Sequence, residues 1–480
     1  MERFDLGVGL ALMPGLVDEL EAVRHLVDCL EVEPQTFWLE TGDPAAPFRL
    51  AADEVVSLRS RFGTLLAHGV SAPVGGSRPP DPAVVRLFGE TTTLLDVRLA
   101  SEHLSFNTGA GPDGPMGSAF FLPPRQTLDG VDRAVESIDI VRAGLTMPFS
   151  VETPVNYLQP RHDEMDDGAF IASVSEQADC GILLDLHNVW ANERNGRQPV
   201  RDFVAQLPLD RVWEVHLAGG FERRGYWLDA HSGGLHPELL AVAGEVLQML
   251  PDVRAVVYEI LPEFISQGAT NLLRRDLEIV HRLVDEARGR KWRDTTRRAP
   301  HPYVAPPQTA VSLRAEVWED ALIALAVGRK TADAATAGLA SELDADPGVA
   351  LLRELVGAGR SGRISSSLTL TIGLLVNTIG VDGVEALFAE HASAHSPRLW
   401  GSDEGRSFAE WLVHRPGTAC DVLLDAALQL DLAALDSVQM NSTQTLELAI
   451  DPLELISAVH AERSPQMQPG PRRRFVVSVG

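Results

Sequence analysis

The chain is poor in cysteine and poor in positive charge. Its three cysteines, Cys29, Cys180 and Cys420, lie too far apart for a disulfide framework or a Cys-x-x-Cys metal site. Basic residues number 41 against 67 acidic ones, a net charge of −26. A nucleic-acid surface would need clustered Lys and Arg to replace phosphate counterions, so a nucleic-acid partner is not expected. The dense basic runs, "RGRKWRDTTRR" (288–298) and "RRR" (472–474), read as solvated segments. No uninterrupted apolar run approaches the roughly 18 to 20 residues that span a bilayer. The opening "MERFDLGVGLALMPG" lacks a basic start and is broken by Asp5 and by glycines, unlike a signal peptide. These absences point to a cytoplasmic protein with no membrane partner. No G-x-G-x-x-G follows the first apolar segment, so a dinucleotide fold lacks its usual mark.

What is present is a repeat of strand and helix. Eight short apolar or β-branched segments stand out: "LGVGL" (6–10), "TFWLE" (36–40), "TLLAHGV" (64–70), "VRLASEHL" (97–104), "FSVE" (149–152), "GILLDL" (181–186), "VWEVHL" (212–217) and "AVVYEI" (255–260). Helical spacing fills the stretches between them, as in 16–30, 127–144 and 237–250. Eight such units over roughly 250 residues fit a (β/α)8 TIM barrel, with an open doubly wound sheet as the structural rival. The expected domains are a barrel over 1–292, a linker over 293–310 containing "RRAPHPYVAPPQTA", and a smaller, mainly α-helical domain over 311–480. Only "TLELAI" and "RFVVSVG" look extended in that last part.

The ends of the eight segments carry the chemistry. They place Glu40, His68, His103, Glu152, Asp185, His216 and Glu259 at successive strand ends, with Asp229 and His231 just past the seventh. In a barrel these ends meet at one mouth. One such residue alone is more often a helix cap or loop anchor than a ligand. Together they differ, because so many carboxylates in one buried mouth repel each other unless cations intervene. Imidazole with carboxylate and no thiolate suits iron, manganese or zinc. Cys180, at the far end of its strand, reads as core packing. Two long segments, 71–82 and 107–127, follow the third and fourth strands and read as loops that could close over a substrate.

Five stretches in order, "ASEHLSF" (100–106), "VETPVNYL" (151–158), "LLDLHNVWAN" (183–192), "EVHLAGG" (214–220) and "WLDAHSG" (227–233), resemble the multinuclear non-haem iron-dependent oxidative enzymes, the family of the catalytic subunit of methanobactin synthesis. The resemblance covers about residues 5–285. It implies a (β/α)8 barrel with two or three irons and O2 as co-substrate. The implied reaction oxidises a residue, often cysteine, of a ribosomally made precursor peptide. It also implies His68, His103, Glu152, Asp185, His216, Asp229, His231 and Glu259 as metal-binding and catalytic residues, with Asn188 as a further ligand or a neighbour's guide. Thr153, His187, Gly220 and Ile260 depart from the family's usual residues. Residues 387–412 with 430–441 resemble the helical half of the partner protein of that system, here fused; an unrelated helical dimerisation domain fits the same periodicity. Two other functions remain open: a divalent-metal isomerase or phosphodiester hydrolase on a similar barrel, and a non-catalytic peptide-binding scaffold.

Overall fold

The computed structural model describes residues 3–477, apart from 14, 44, 112–113, 263–269, 290–313, 330–333, 399, 416–420, 462 and 464–469. The expected linker 293–310 therefore lies outside the described residues.

Eight parallel strands close into a barrel: β1 (Gly7–Leu12), β2 (Cys29–Val32), β3 (Leu65–Gly69), β4 (Ala100–His103), β5 (Phe149–Glu152), β6 (Gly181–Asp185), β7 (Val212–Ala218) and β8 (Ala255–Glu259). Each pairs with its neighbour in sequence, and β1 closes on β8 with Gly7 opposite Ala255. Helices such as Pro82–Leu95, Leu128–Arg142, Asp167–Ala178 and Thr270–Gly289 form the outer ring. The strands are buried on both faces, which is why they read as near-continuous apolar runs. Gly181 opens β6 without a side chain because the Trp213 ring fills the place where a Cβ would stand.

The second strand differs from the expectation. "TFWLE" is not in the barrel: Trp38–Glu40 pairs antiparallel with Phe48–Leu50 outside it. The barrel strand is the four-residue "CLEV", Cys29–Val32. Leu16, Leu20, Val23, Val27 and Leu30 continue a helical period straight through this strand, but the helix ends at Val23 and a single 3-10 turn follows at Arg24–Leu26. The Glu40 carboxylate accepts from Ser402 Oγ, away from the mouth.

The segment 107–127 is likewise not a loop. Phe106–Gly111 and Gly114–Leu122 form a β-hairpin after β4. Its glycines and proline hide a strand pair whose stability comes from what lies above it. The helices Ala315–Ala326 and Pro347–Ser367 pack onto it, and Phe106, Met116, Leu122 and Tyr157 share an apolar cluster with Trp318, Leu322, Ile323 and Leu352. Trp318 Nε1–H donates to Pro123 O at 3.3 Å. The Glu319 carboxylate accepts from Ser77 N at 2.7 Å, fixing the 71–81 segment as well. The helical region is thus seated on the barrel's C-terminal face.

The remainder of that region has its own core, built on Leu368, Leu375, Phe408, Leu412, Leu428 and Leu455. It comprises Thr369–Ala394, Gly401–His414, Val422–Met440 and Pro452–His460, with Gln444–Leu448 and Arg473–Val477 paired antiparallel. Among the described residues one helix, Thr369–Ala394, is long and apolar enough to cross a membrane by length and composition. Its backbone leaves helical geometry at Gly380 (φ 77°, ψ 170°), which divides it in two.

Candidate metal centre

Strand alternation points the last inward residues of β3 to β8 into one mouth. His103 is the register partner of Glu152, Asp185 of His216, and Glu259 of Ala218. The four sets His68–His103–Glu152, Glu152–Asp185–His216, Asp185–His231–Glu259 and Glu31–His216–Glu259 each bring their ligand atoms within 4.8 Å of one another. Glu152, Asp185, His216 and Glu259 each belong to two sets. The arrangement is one connected shell rather than separate triads.

Two histidines are held in ligand-ready orientation by groups behind them. His103 Nδ1 is 2.9 Å from Gly69 O, which can only accept, so Nδ1 carries the proton. Nε2 then faces Glu152 Oε2 at 3.1 Å. Ser101 Oγ donates to Ala67 O at 3.3 Å and so accepts from His68 Nδ1 at 2.8 Å. His68 Nε2 faces the same Glu152 oxygen at 3.5 Å. Fixing one imidazole nitrogen in this way sets the tautomer that a metal needs. Phe121 from the hairpin stacks on the His103 ring at 4.1 Å.

His216 lies between carboxylates. Its Nε2 is 3.2 Å from Glu31 Oε2, and its Nδ1 is 3.2 Å from Glu259 Oε2. Glu214 lies deeper; burial first, and then the Glu31 carboxylate, push its acid well above the usual range.

Asp185 divides its carboxylate. Oδ1 accepts the Asn188 N–H at 2.7 Å, capping the helix Leu186–Arg194. Oδ2 has no hydrogen-bond partner and faces the shell. Thr153 Oγ1 ties the strand ends together, accepting from Asp185 N at 2.9 Å and donating to Asp185 O at 3.2 Å. Asn188 Nδ2 reaches Thr153 O at 3.4 Å, leaving its buried Oδ1 unpartnered.

Asp229 closes the short hairpin Gly220–Arg223/Tyr226–Asp229. Its N–H donates to Tyr157 Oη at 3.1 Å. His231 Nε2 lies 3.1 Å from Asp229 Oδ1 and 3.4 Å from Glu259 Oε2. His231 adopts a left-handed backbone (φ 45°), uncommon for histidine and a frequent mark of a functional turn.

The electrostatics are those of a shell built around positive charge. Burial alone would raise every carboxyl here. For Glu152 the imidazoles of His103 and His68 outweigh burial and hold the acid below its usual range; for Glu259, His216 and His231 do the same. For Asp185 the relief from His216 is too small: burial first, then Asp229, Glu152 and Glu259, drive it well above the usual range. Burial would lower His103, but Glu152, Glu102 and the Gly69 carbonyl together outweigh it and raise it to about 9.

The donors fit a metal on one observation above others. Glu152 Oε2, Asp185 Oδ2, Asn188 Oδ1, His216 Nδ1, Asp229 Oδ1 and Glu259 Oε2 are all buried and all without a hydrogen-bond partner. Native interiors satisfy their polar atoms, and six lone-pair donors directed into one space are a set that cations would satisfy. His68, His103, Glu152, Asp185, His216, His231 and Glu259 all belong to the connected sets, with Asp229 and Asn188 at their edge.

Sequence reasoning missed Glu31, Glu102, Ser101 and Tyr157. Glu31 was concealed by the misplaced second strand. Glu102 is buried facing away from the shell and accepts from Ala72 N and His103 N, both at 2.9 Å, anchoring the 71–81 segment. Such supporting roles leave no spacing signal; only Glu31, flanked by Leu30 and Val32 in "CLEV", had one.

A family model described as "RiPP precursor modification enzyme MbnB/TglH/ChrH" matches residues 7–263. A UPF0276 protein of Streptomyces avermitilis is 30% identical over 252 residues, 52% of this chain and 48% of that protein. The chain thus spans about half the length of that relative. A UPF0276 protein of Shewanella loihica is 26% identical over 276 residues, 57% of this chain and 93% of that protein. Among solved structures, L-ribulose 3-epimerase matches at 13% identity and a TM-score of 0.37, covering 58% of this chain and 95% of that one. A xylose isomerase domain protein from Planctomyces limnophilus matches at 13% identity and a TM-score of 0.39, covering 60% and 99%. Through its barrel, this chain belongs to the MbnB/TglH/ChrH family of RiPP precursor modification enzymes.

Proposed function

We propose that the protein is an O2-dependent, multinuclear non-haem iron enzyme that oxidises a residue, cysteine being the leading candidate, of a ribosomally synthesised precursor peptide. The observation that carries the multinuclear part is the sharing of carboxylates. Glu152 serves both the His68–His103 set and the Asp185–His216 set, and Glu259 serves the sets of His216 and His231. A carboxylate has two oxygens and can serve two neighbouring ions. Nitrogen and oxygen donors without thiolate suit iron, and family membership supports a peptide as the substrate.

Bound iron would supply the one-electron chemistry toward O2 that no side chain here can perform. The chain's own residues do the rest. Ser101 and the Gly69 carbonyl hold the imidazoles of His68 and His103 on their axes. Phe121 gives the mouth an apolar wall beside His103. The hairpin and the 71–81 segment, both fixed by the helical region, frame the entrance and limit water around the reacting side chain. The helical region is the part proposed to present the peptide.

Protein purified without O2 should retain two or three irons per chain. It should consume O2 when given the peptide encoded by a short reading frame beside its gene. His103→Ala should abolish that uptake while peptide binding persists. Full turnover with zinc alone and no O2 would overturn the oxidase reading in favour of a metal-dependent isomerase or hydrolase.

A further inference from the structure

His187 stands two residues past Asp185, wholly buried, inside the helix Leu186–Arg194. Its ring lies between two groups of opposite character. On one side Trp227 Nε1–H, which can only donate, points at His187 Nε2 from 3.0 Å. On the other, His187 Nδ1 is 3.3 Å from Asp229 Oδ1, and neither of these two atoms has a formed hydrogen bond. An indole donor forces Nε2 to accept, so the ring proton sits on Nδ1, the nitrogen 3.3 Å from Asp229 Oδ1. The nitrogen nearest the shell is therefore a donor, not a free lone pair.

The surroundings are shaped for this contact. A Cβ at residue 220 would fall 2.2 Å from Leu228 O, 2.7 Å from Trp227 Nε1 and 2.9 Å from His187 Nε2, so both the hairpin and the pair need a residue without a side chain at Gly220. Trp227 is itself held, packed edge-on to Trp190 at 5.0 Å and faced by the Arg194 guanidinium at 5.0 Å. Asn195 accepts from the Trp227 backbone N–H at 2.7 Å and donates to its carbonyl at 3.0 Å. The line Trp227, His187, Asp229 runs from a rigid aromatic pair to the edge of the metal shell.

We infer that His187 is a positioning residue for Asp229, presenting an N–H to its carboxylate and not binding an ion itself. It thereby steadies the Asp229–His231 side of the centre while leaving the His68–His103–Glu152 side untouched. The inference rests on the proposed metal centre. A histidine or carboxylate that orients a metal ligand typically changes metal affinity about 10- to 100-fold.

The test is equilibrium dialysis of the full chain against Fe(II) under nitrogen, with bound iron counted and the melting temperature of the metal-free protein recorded. His187→Leu should keep the most tightly held ion and bind the next one about 10- to 100-fold more weakly. His187→Gln, which can accept from Trp227 and donate to Asp229, should restore most of that loss. Trp227→Phe, which leaves the imidazole tautomer unpinned, should weaken the same ion by a smaller factor. If His187→Leu does not fold, the glutamine variant decides. Wild-type affinities in His187→Leu would overturn the inference. So would a glutamine variant with a normal melting temperature that binds no better than the leucine one, since the imidazole would then be a ligand. Wild-type protein that retains no iron at all would remove the metal-centre reading and this inference with it.

Discussion

His103 and Glu152 are register partners on adjacent strands, and their side chains meet at 3.1 Å with Nε2 facing Oε2. Parallel pairing delivers the imidazole and the carboxylate to the same height in the mouth. The same Glu152 also serves Asp185 and His216. Glu152→Gln should therefore lower iron content by more than one ion per chain, whereas His68→Ala should lower it by about one. Iron analysis of the two variants side by side checks this; equal losses would contradict the shared role of Glu152.

Asp185 is pushed toward its protonated form by burial and by Asp229 and Glu152. Asparagine imitates that neutral form and can still cap the helix at Asn188. Asp185→Asn should leave the melting temperature of metal-free protein unchanged or raised, while iron binding falls at least ~10-fold. Function and stability pull apart at such sites. A large loss of stability without metal would mean instead that the ionised carboxylate of Asp185 holds the fold together.

Ser101 does not touch the His68 nitrogen that faces Glu152; it fixes the other nitrogen, Nδ1, at 2.8 Å. Ser101→Ala should weaken iron binding about 10- to 100-fold with little change in fold, as read by dialysis and circular dichroism. An unchanged affinity would show that the backbone alone orients His68.

Much of this site was legible in the sequence because a parallel barrel converts position along a strand into position in space. Seven of the eight strands could be read from apolar runs; six of these, β3 to β8, carry a His, Asp or Glu at their mouth end, and those polar ends make up most of the shell. The failure at β2 has a physical cause. A four-residue strand carries too little period to compete with a helical pattern that overlaps it, and Glu31 was lost with it. The hairpin after β4 was misread because its stability is supplied by Trp318 and Ile323, some 200 residues away in sequence (|i−j| is 195 for the Trp318–Pro123 bond). No local pattern reports a partner that distant.

Trp318 is the principal anchor of that contact, buried among Met116, Leu122 and Tyr157 and hydrogen-bonded to Pro123 O. Trp318→Ala should destabilise the protein by about 3–5 kcal/mol. It should also open the hairpin to limited proteolysis before the barrel strands unfold. Simultaneous cleavage throughout the chain would show that barrel and helical region unfold as one unit.

In the helical region His391 is buried with Nε2 3.3 Å from Ser407 Oγ. Burial first, then the neighbouring His395 and Arg360, push it down to about 3. The folded form therefore binds fewer protons than the unfolded chain between that value and the ordinary histidine range. Its contribution to stability is present near neutrality and is lost as pH falls from about 6.5 toward 3. Denaturation followed at several pH values should show this slope, and His391→Phe should flatten it. An identical slope in the variant would assign it to other groups.

The seating of the helical region on the hairpin bears on how the working unit is assembled. A roof carried on the same polypeptide meets its barrel in a unimolecular step, at an effective concentration on the order of millimolar for a short tether. Dilution cannot strip it away. Every barrel made carries its own cover in a fixed one-to-one ratio, set at translation rather than by the abundance of a second gene product.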